Sequence, residues 1–501
     1  MHTWCTIFLD IGLPNATTWF YLSIVLVFTI FFRFRRPFQL RNFDLILLFL
    51  LVPPMLFLRS AQMERRLEQN TVLEHGQQIL QILNVAANEV AVPAHPNSSF
   101  GLLHQAVNDI NKIHFVPAMV AKSRPGQHHI WVAYLWLLIA SAFICLRSLI
   151  DLVLIRKSAL ETNLTMDGMA WLALALFLTM STWSFLPKED IVPQSQSQSM
   201  MLEKLTQLLD VLIDQLSWFP LTTVQFNGVL ALTSHALLLL ALFWIGYRHA
   251  QSATMGMASV LLYLLLPYTA YHLTDLDHVV PAMLLVMALA FYRWPLAAGT
   301  CMALASCLSF FPLLLIPLWM SFYRKAGWLR FIFPLLLALF IVMVLLMSDQ
   351  RLQVGLQQAL DRPEWQAWRF SDKPTAEGLW TGYSLHYAYR LPLFIGYFVL
   401  VVASLFWPSP KTLGHLVSWS ATLVIGVQFW YADAGGIYVL WYLPLLIMLM
   451  LRPTWSECMP QVVAPEQDWL IRLARWIKQR LKPKAKPQTA SRAPALTTQN
   501  G

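Results

Sequence analysis

The chain has 501 residues, of which 57% are hydrophobic and 12% charged, and its mean hydropathy is +0.54. Because a soluble domain carries about 25% charged residues, this composition excludes an ordinary soluble globule and predicts a membrane protein. The net charge of +9 does not indicate nucleic-acid binding, since a basic C-terminal segment explains much of it. The cysteines have no CxxC or metal-ligand spacing, so we expect no disulfide framework, no metal site and no cofactor. They are Cys5, Cys145, Cys301, Cys307 and Cys458.

Apolar stretches long enough for a bilayer recur along the whole chain. A window of about 20 residues predicts spans at 17–33, 43–59, 130–150, 168–186, 226–246, 255–271, 278–293, 326–347, 385–407, 413–430 and 435–451. The N-terminal residues lack a basic region, so no cleavable signal peptide is expected. The predicted fold class is therefore all-α: a polytopic transmembrane helix bundle of about 11 spans over residues 1–451, plus a re-entrant helical hairpin.

The hairpin is predicted for residues 295–323. Pro312 and Pro317 interrupt this apolar stretch, and basic residues flank it at Arg293 and Lys325. Under the positive-inside rule both flanks lie in the cytoplasm, which favours two half-spanning helices. A single tilted, kinked span that departs from the charge rule is the alternative, and the sequence leaves both open.

The remaining charges agree with one topology. Basic clusters at 31–42 and 147–157 fall in the cytoplasm, and the N-terminus falls outside. The outer segments are then 60–129, 187–225, 272–277, 348–384 and 431–434. The overall pattern resembles multi-pass proteins of bacterial inner membranes, which implies that localisation.

The C-terminal part of the chain differs from the rest. Residues 452–482 form a predicted cytoplasmic segment, in which 469–482 places bulky apolar side chains on one helical face and basic ones on the other. This pattern predicts a helix lying on anionic membrane lipids. Residues 483–501 have too little apolar content to fold, so we expect a disordered tail.

The segment YHLTDLDHVVP, 271–281, brings two carboxylates and two imidazoles together between two spans. One interpretation is a polar turn, with Asp277 as the N-cap of the next helix and Pro281 early in that helix. The other is a site, because a second outer turn within 429–444 brings Asp433 to the same side. Beside His272, the candidate catalytic residues are Asp275, Asp277, His278 and Asp433.

The long outer loop 348–390 interleaves basic and aromatic side chains. Guanidinium groups bind phosphate through paired hydrogen bonds, and aromatic faces stack on sugar rings or lie among head groups. The same composition suits a structural interfacial loop with nothing bound. The candidate substrate-binding residues are Arg362, Arg369, Trp365, Trp368 and Trp380.

Two stretches resemble a known family. RWPLAAGTCMALASCLSFFPLLLIPLW followed by YRKAGWLR, within 278–330, resembles a segment of C-type glycosyltransferases, and GGIYVLWYLPLLIMLMLRP resembles the closing helix of their mannosyltransferase-like branch. The resemblance implies a polyprenyl-phosphate-sugar donor that enters from the lipid, and an outer carboxylate that acts as base on the acceptor. That family carries its acidic residue in the first large outer loop, where Glu64 and Glu68 match by position but no acidic pair occurs.

Three functions follow as alternatives. A glycosyltransferase is favoured by the hairpin and the Arg/Trp loop. A transporter or flippase predicts ionisable residues within its spans, whereas these spans are nearly free of charge and His235 is a lone mid-span exception, expected to bond a neighbouring helix. A non-catalytic scaffold predicts that the outer carboxylates only cap helices.

Overall fold

A computed structural model describes the parts of the chain that form the helical bundle. These parts are 16–62, 127–153, 162–185, 223–325, 327–348, 370, 378–381, 386–432, 435–451, 455 and 458–460. All regular structure within them is helical, and they contain no strand, which confirms the predicted all-α class. The predicted helix at 469–482 and the tail at 483–501 lie outside the described residues.

The helices follow one another along the chain with short connections wherever both ends are described. They are α1 (Ala16–Phe31), α2 (Leu40–Leu50), α3 (Gln127–Asp151), α4 (Met166–Phe185), α5 (Thr223–Trp244), α6 (Ala253–Leu265), α7 (Pro267–Tyr271), α8 (Leu276–Ala290), α9 (Pro295–Leu308), α10 (Phe311–Phe322), α11 (Trp328–Ser348), α12 (Arg390–Phe406), α13 (Leu413–Trp430) and α14 (Val439–Leu451). A π-helical turn, Ile245–His249, extends α5.

Three helical segments are long and apolar enough to cross a membrane: Leu40–Gln62, His129–Asp151 and Asn227–His249. Nine further apolar helical stretches of 10–17 described residues lie at the positions of predicted spans or of the predicted hairpin. The predicted span 255–271 consists of two shorter helices. Leu266 has an extended backbone before Pro267 and divides the span into α6 and α7. The chain thus has the composition of a membrane protein, with three helical segments that are both long and apolar enough to cross a membrane among its described residues.

The centre of the bundle is formed by α13 and α14. Every residue of α14 is buried, as are nearly all of α13. Peripheral helices instead expose large apolar side chains, among them Leu339 and Phe340 of α11 and Phe398 of α12. Such faces suit a lipid environment better than water.

Residues 295–323 form a hairpin of two helices, α9 and α10. The Tyr323 hydroxyl donates a hydrogen bond to the Tyr292 carbonyl at 2.7 Å, so the chain returns to the end at which it entered. A single span of this length would separate its ends by about 40 Å at 1.5 Å per residue, which excludes the kinked-span alternative. Pro312 lies in the first turn of α10, whereas Pro317 lies inside that helix without ending it.

Two turns are recessed from the nearby ends of α3 and α5. One joins α7 to α8, and the other precedes α14. Leu276 packs against Ala231, eight residues into α5, and Gly436 lies against Leu137, ten residues into α3. At 1.5 Å per residue these depths are about 12 and 15 Å. Gly436 has a φ of +106°, which favours glycine at this position. We call this side of the bundle the histidine end.

Candidate functional site

His272, Asp275 and His278 form one cluster at the histidine end, which we call the histidine site. They follow at intervals of three residues across the turn that joins α7 to α8. The Asp275 amide donates to the His272 carbonyl at 3.2 Å, and the His278 amide donates to the Asp275 carbonyl at 3.1 Å. These successive turns bring the three side chains to one side, because residues three apart face the same way in a helical turn.

Asp275, and not Asp277, occupies the N-cap position of α8. The predicted N-cap at Asp277 is therefore wrong, and Asp277 lies in the first turn of the helix. The Asp275 carboxylate makes no capping hydrogen bond. Its Oδ2 lies 2.8 Å from His272 Nδ1 instead, so the imidazole takes the place of the helix N–H groups that such a carboxylate usually binds.

The two imidazoles are in direct contact. The ring centroids of His272 and His278 are 4.1 Å apart, with 24° between the ring planes. His272 is fully buried, and the Asp275 side chain is 19% exposed. One ligand atom from each of the three residues lies within 4.8 Å of the others. Such a group can hold a proton or a metal ion between its members.

Two imidazole nitrogens in this cluster are buried without a hydrogen bond to any described residue: His272 Nε2 and His278 Nδ1. Because His272 Nδ1 faces a carboxylate, we assign the ring proton of the neutral imidazole to that nitrogen. His272 Nε2 then carries a lone pair. An unpaired buried polar atom is costly, by about 1–3 kcal/mol, so two of them on stacked rings favour a ligand or a proton-handling role.

The turn before α14 meets the turn between α7 and α8 through a row of stacked rings. The ring of Tyr438 lies 5.3 Å from His278 and 4.1 Å from Trp441, and Trp441 lies 4.3 Å from Phe311 at the start of α10. The indole N–H of Trp441 also donates to the Asp277 carbonyl at 3.2 Å. Since most ring faces are covered by the next ring, this stack positions His278 more than it offers a surface to a ligand.

The remaining predicted site residues are placed as follows. Trp380 is buried, and its indole donates to the Phe429 carbonyl at 3.2 Å within a cluster that includes Tyr134. This position suits packing between α3 and α13. The other predicted residues of the turn and the long loop lie outside the described residues: Asp433, Arg362, Arg369, Trp365 and Trp368.

Arg59 is a neighbour of the histidine site that the sequence did not indicate. Its exposed guanidinium lies 5.4 Å from the centroid of the Tyr271 ring, and that ring lies 4.6 Å from the His272 ring. The guanidinium carbon is thus at most 10.0 Å from the His272 centroid, the sum of the two distances. The basic residue was overlooked because more than 200 positions separate it from His272 in the chain.

A second ionisable cluster lies at the opposite end of α14, which we call the arginine end. Arg147 Nε and Nη2 donate to the Asp44 carboxylate at 2.6 and 3.1 Å, and Nη1 donates to Asp151 at 3.2 Å. A cavity of about 30 Å³ adjoins this cluster. Asp44 and Arg147 lie near the ends of helices of spanning length and are largely buried.

His235 behaves as predicted. Its Nδ1 lies 3.0 Å from the Tyr263 hydroxyl of α6, so this mid-helix imidazole does bond a neighbouring helix. His235 is fully buried and lies within α5, four residues beyond the Ala231 that packs on Leu276. It therefore extends the polar groups around the histidine site into the bundle.

The fold and site together define an all-helical chain of membrane-protein composition with a recessed histidine–carboxylate cluster. Comparison with protein-family models, with curated proteins and with solved structures finds no match.

Proposed function

We propose that this chain is a multi-pass membrane enzyme that transfers a sugar from a polyprenyl-phosphate donor at the histidine end. In this proposal the bundle crosses a bacterial inner membrane about 11 times, with its N-terminus outside and its C-terminus in the cytoplasm. The apolar faces of the outer helices and the basic clusters between spans support that placement.

The hydrogen bond between Asp275 and His272 is the observation that carries the proposal. A carboxylate and an imidazole 2.8 Å apart form a pair that can take a proton from an acceptor hydroxyl. Asp275 is partly exposed, so it is the member that an acceptor can reach. General-base catalysis of this kind contributes about 10²–10⁴ to a rate, and the recessed position keeps bulk water from competing.

Arg59 supports the same reaction from the other side. Its guanidinium is exposed and lies within 10.0 Å of the His272 ring, so one donor can span both groups. Guanidinium binds phosphate through paired, charge-assisted hydrogen bonds. In the proposed reaction Arg59 stabilises the polyprenyl phosphate that leaves, while Asp275 removes the proton of the acceptor hydroxyl that attacks the anomeric carbon.

The test measures consumption of a radiolabelled polyprenyl-phosphate mannose by the purified full chain in proteoliposomes, with a membrane extract as the source of acceptor. We expect Asp275→Asn to lower turnover by about 10²–10⁴ and Arg59→Met to raise KM, with partial rescue in Arg59→Lys. Asp167→Asn is the matched control, because Asp167 is an exposed carboxylate in the first turn of α4. Equal turnover by Asp275→Asn and Asp167→Asn rejects the proposal.

A transporter is the second candidate, favoured by the buried ionisable groups at both ends of α14. Within membrane helices such groups form proton relays and substrate paths. This function predicts movement of a fluorescent polyprenyl-phosphate sugar across the liposome bilayer without release of the sugar. A scaffold predicts neither movement nor release, with stability alone changed by the substitutions.

A further inference from the structure

We infer that His272, His278 and Asp275 form a binding site for one divalent transition-metal ion of the zinc type. The inference concerns ion binding by the protein alone, so it does not depend on the proposed sugar transfer. The three residues have the spacing His-x-x-Asp-x-x-His at 272–278, which contains no cysteine.

The hydrogen bond of His272 prepares its other nitrogen for a metal. A histidine that ligates a metal usually donates its second N–H to a carboxylate, which fixes the tautomer and raises the basicity of the ligating nitrogen. His272 has this arrangement: Nδ1 faces Asp275 Oδ2 at 2.8 Å, and Nε2 is buried without a hydrogen bond to any described residue.

His278 supplies the second imidazole nitrogen. Its Nδ1 is also buried without a hydrogen bond to any described residue, and its ring is held against His272 on one side and Tyr438 on the other. Two nitrogen atoms on stacked imidazoles that have no partner among the described residues are poorly explained by packing, since buried polar atoms are normally paired. A shared cation satisfies both of them.

The distances need a small adjustment. One ligand atom from each residue lies within 4.8 Å of the others, whereas ligands around a tetrahedral zinc lie about 3.3 Å apart, given metal–ligand bonds of about 2.0–2.2 Å. Ion binding therefore requires the ligand atoms of the cluster to move closer together. The two stacked imidazoles must tilt about their side-chain torsions for both nitrogens to face one ion.

The ligand types select the class of ion. Imidazole nitrogen suits zinc and its neighbours in the first transition row, and does not suit magnesium or calcium, which prefer oxygen ligands. The positive end of α8 opposes a cation, and the carboxylates of Asp275 and Asp277 at that helix start offset this effect. His272 Nε2 and His278 Nδ1 are the two protein ligands, and Asp275 orients His272 without binding the ion, so coordination positions stay open, as in catalytic zinc sites.

The experiment uses Co²⁺ as the probe, because its visible absorption bands report the coordination of a zinc site. The full-length protein in detergent, freed of any affinity tag and treated with a chelator, is titrated with Co²⁺ and then with Zn²⁺. We expect saturation near one equivalent, displacement of Co²⁺ by Zn²⁺, and an affinity at least about tenfold weaker in His272→Gln and His278→Gln. Asp275→Asn should weaken binding by about 10–100-fold.

Two further variants keep the outcome decisive. His386→Gln is the matched control, since His386 is an exposed histidine outside the cluster, and it should bind as the wild type does. His278→Cys retains a ligand atom, so it should still bind Co²⁺ and add a thiolate charge-transfer band, even if the glutamine variants fold poorly. No saturable binding by the wild type, or equal affinities in His278→Gln and His386→Gln, overturns the inference.

Failure of this inference is distinguishable from failure of the proposed function. Co²⁺ binding is measured without a sugar donor, and donor consumption is measured with and without a chelator. If Asp275→Asn loses turnover and the wild type binds no Co²⁺, the proposed transferase stands and the metal site is rejected. If the wild type binds Co²⁺ but consumes no donor, the metal site stands and the proposed transferase is rejected.

Discussion

The two ionisable clusters at opposite ends of α14 differ in how their polar atoms are satisfied. At the arginine end Arg147 directs three nitrogens at two carboxylates, with distances from 2.6 to 3.2 Å. At the histidine end one imidazole nitrogen pairs with a carboxylate while two others have no partner among the described residues. A cluster whose charges pair with one another serves the fold, whereas open nitrogens are suited to a ligand.

The same helix contacts both clusters. Tyr438 and Trp441, around its first turn, stack toward His278, while Leu449 and Met450 in its last turn line the cavity beside Arg147. Substitutions at the two ends can therefore be compared within one packed core. We expect the arginine end to govern stability and the histidine end to govern activity.

The largest effect is expected from Arg147→Met. Removal of the guanidinium leaves Asp44 and Asp151 as buried carboxylates without their common partner, and breaking a buried ion pair costs about 3–5 kcal/mol. The free energy of unfolding in a detergent titration measures this loss. Arg248→Met is the matched control, because Arg248 is exposed and its replacement should change stability by less than about 0.5 kcal/mol. Equal stability of the two variants contradicts a structural role for Arg147.

Asp44→Asn combined with Arg147→Met sharpens that result. Since Asp44 accepts two of the hydrogen bonds from Arg147, the double variant should be less destabilised than the sum of the single variants. Coupling energies of about 0.5–3 kcal/mol are typical of residues in contact. The same detergent titration gives the four values of the cycle. Strict additivity would mean that the two side chains do not stabilise each other.

His272→Gln is expected to separate stability from activity. It removes one hydrogen bond to a carboxylate, which contributes about 1.5–3 kcal/mol, so the loss of stability should be smaller than that of Arg147→Met. Donor consumption should nevertheless fall to the background level. Turnover is normalised to folded protein by size-exclusion chromatography. Full turnover by this variant would show that His272 has no role in the reaction.

Trp380→Phe should have the smallest effect of the four. The change removes the hydrogen bond to the Phe429 carbonyl and keeps most of the buried ring, so a cost of about 1 kcal/mol in unfolding free energy is expected. Turnover of the polyprenyl-phosphate donor should be unchanged, because Trp380 is packed between helices. A raised KM for the donor would instead show that Trp380 contributes to substrate binding.

Most helix positions were predictable because hydrophobic runs and proline breaks act locally. The predicted span 413–430 coincides with α13, and the predicted span 17–33 differs from α1 by two residues or fewer at each end. The break at Leu266 was missed although Pro267 follows it, because the apolar run continues across the proline. Apolar character therefore located the helices better than it located their interruptions.

The site was predictable only in part. The cluster at 272–278 was visible because its members are close in the chain, and its convergence with the turn before α14 followed from topology. The individual hydrogen-bond partners could not be predicted from the sequence. The Asp275 carboxylate binds His272 and does not cap the N-terminus of its own helix. The contacts of Arg59 and Trp441 with this region join residues about 160 to 210 positions apart.

The sequence by itself determined the helical class, the membrane-like composition and the short spacing of the histidine site, since hydrophobicity and turn geometry depend on neighbours in the chain. The tertiary structure decided which buried charges meet, which imidazole nitrogens stay open and how deeply the turns are recessed. The reason is that helix packing sets these distances, and the free energy of a buried polar atom depends on the partner that packing brings to it.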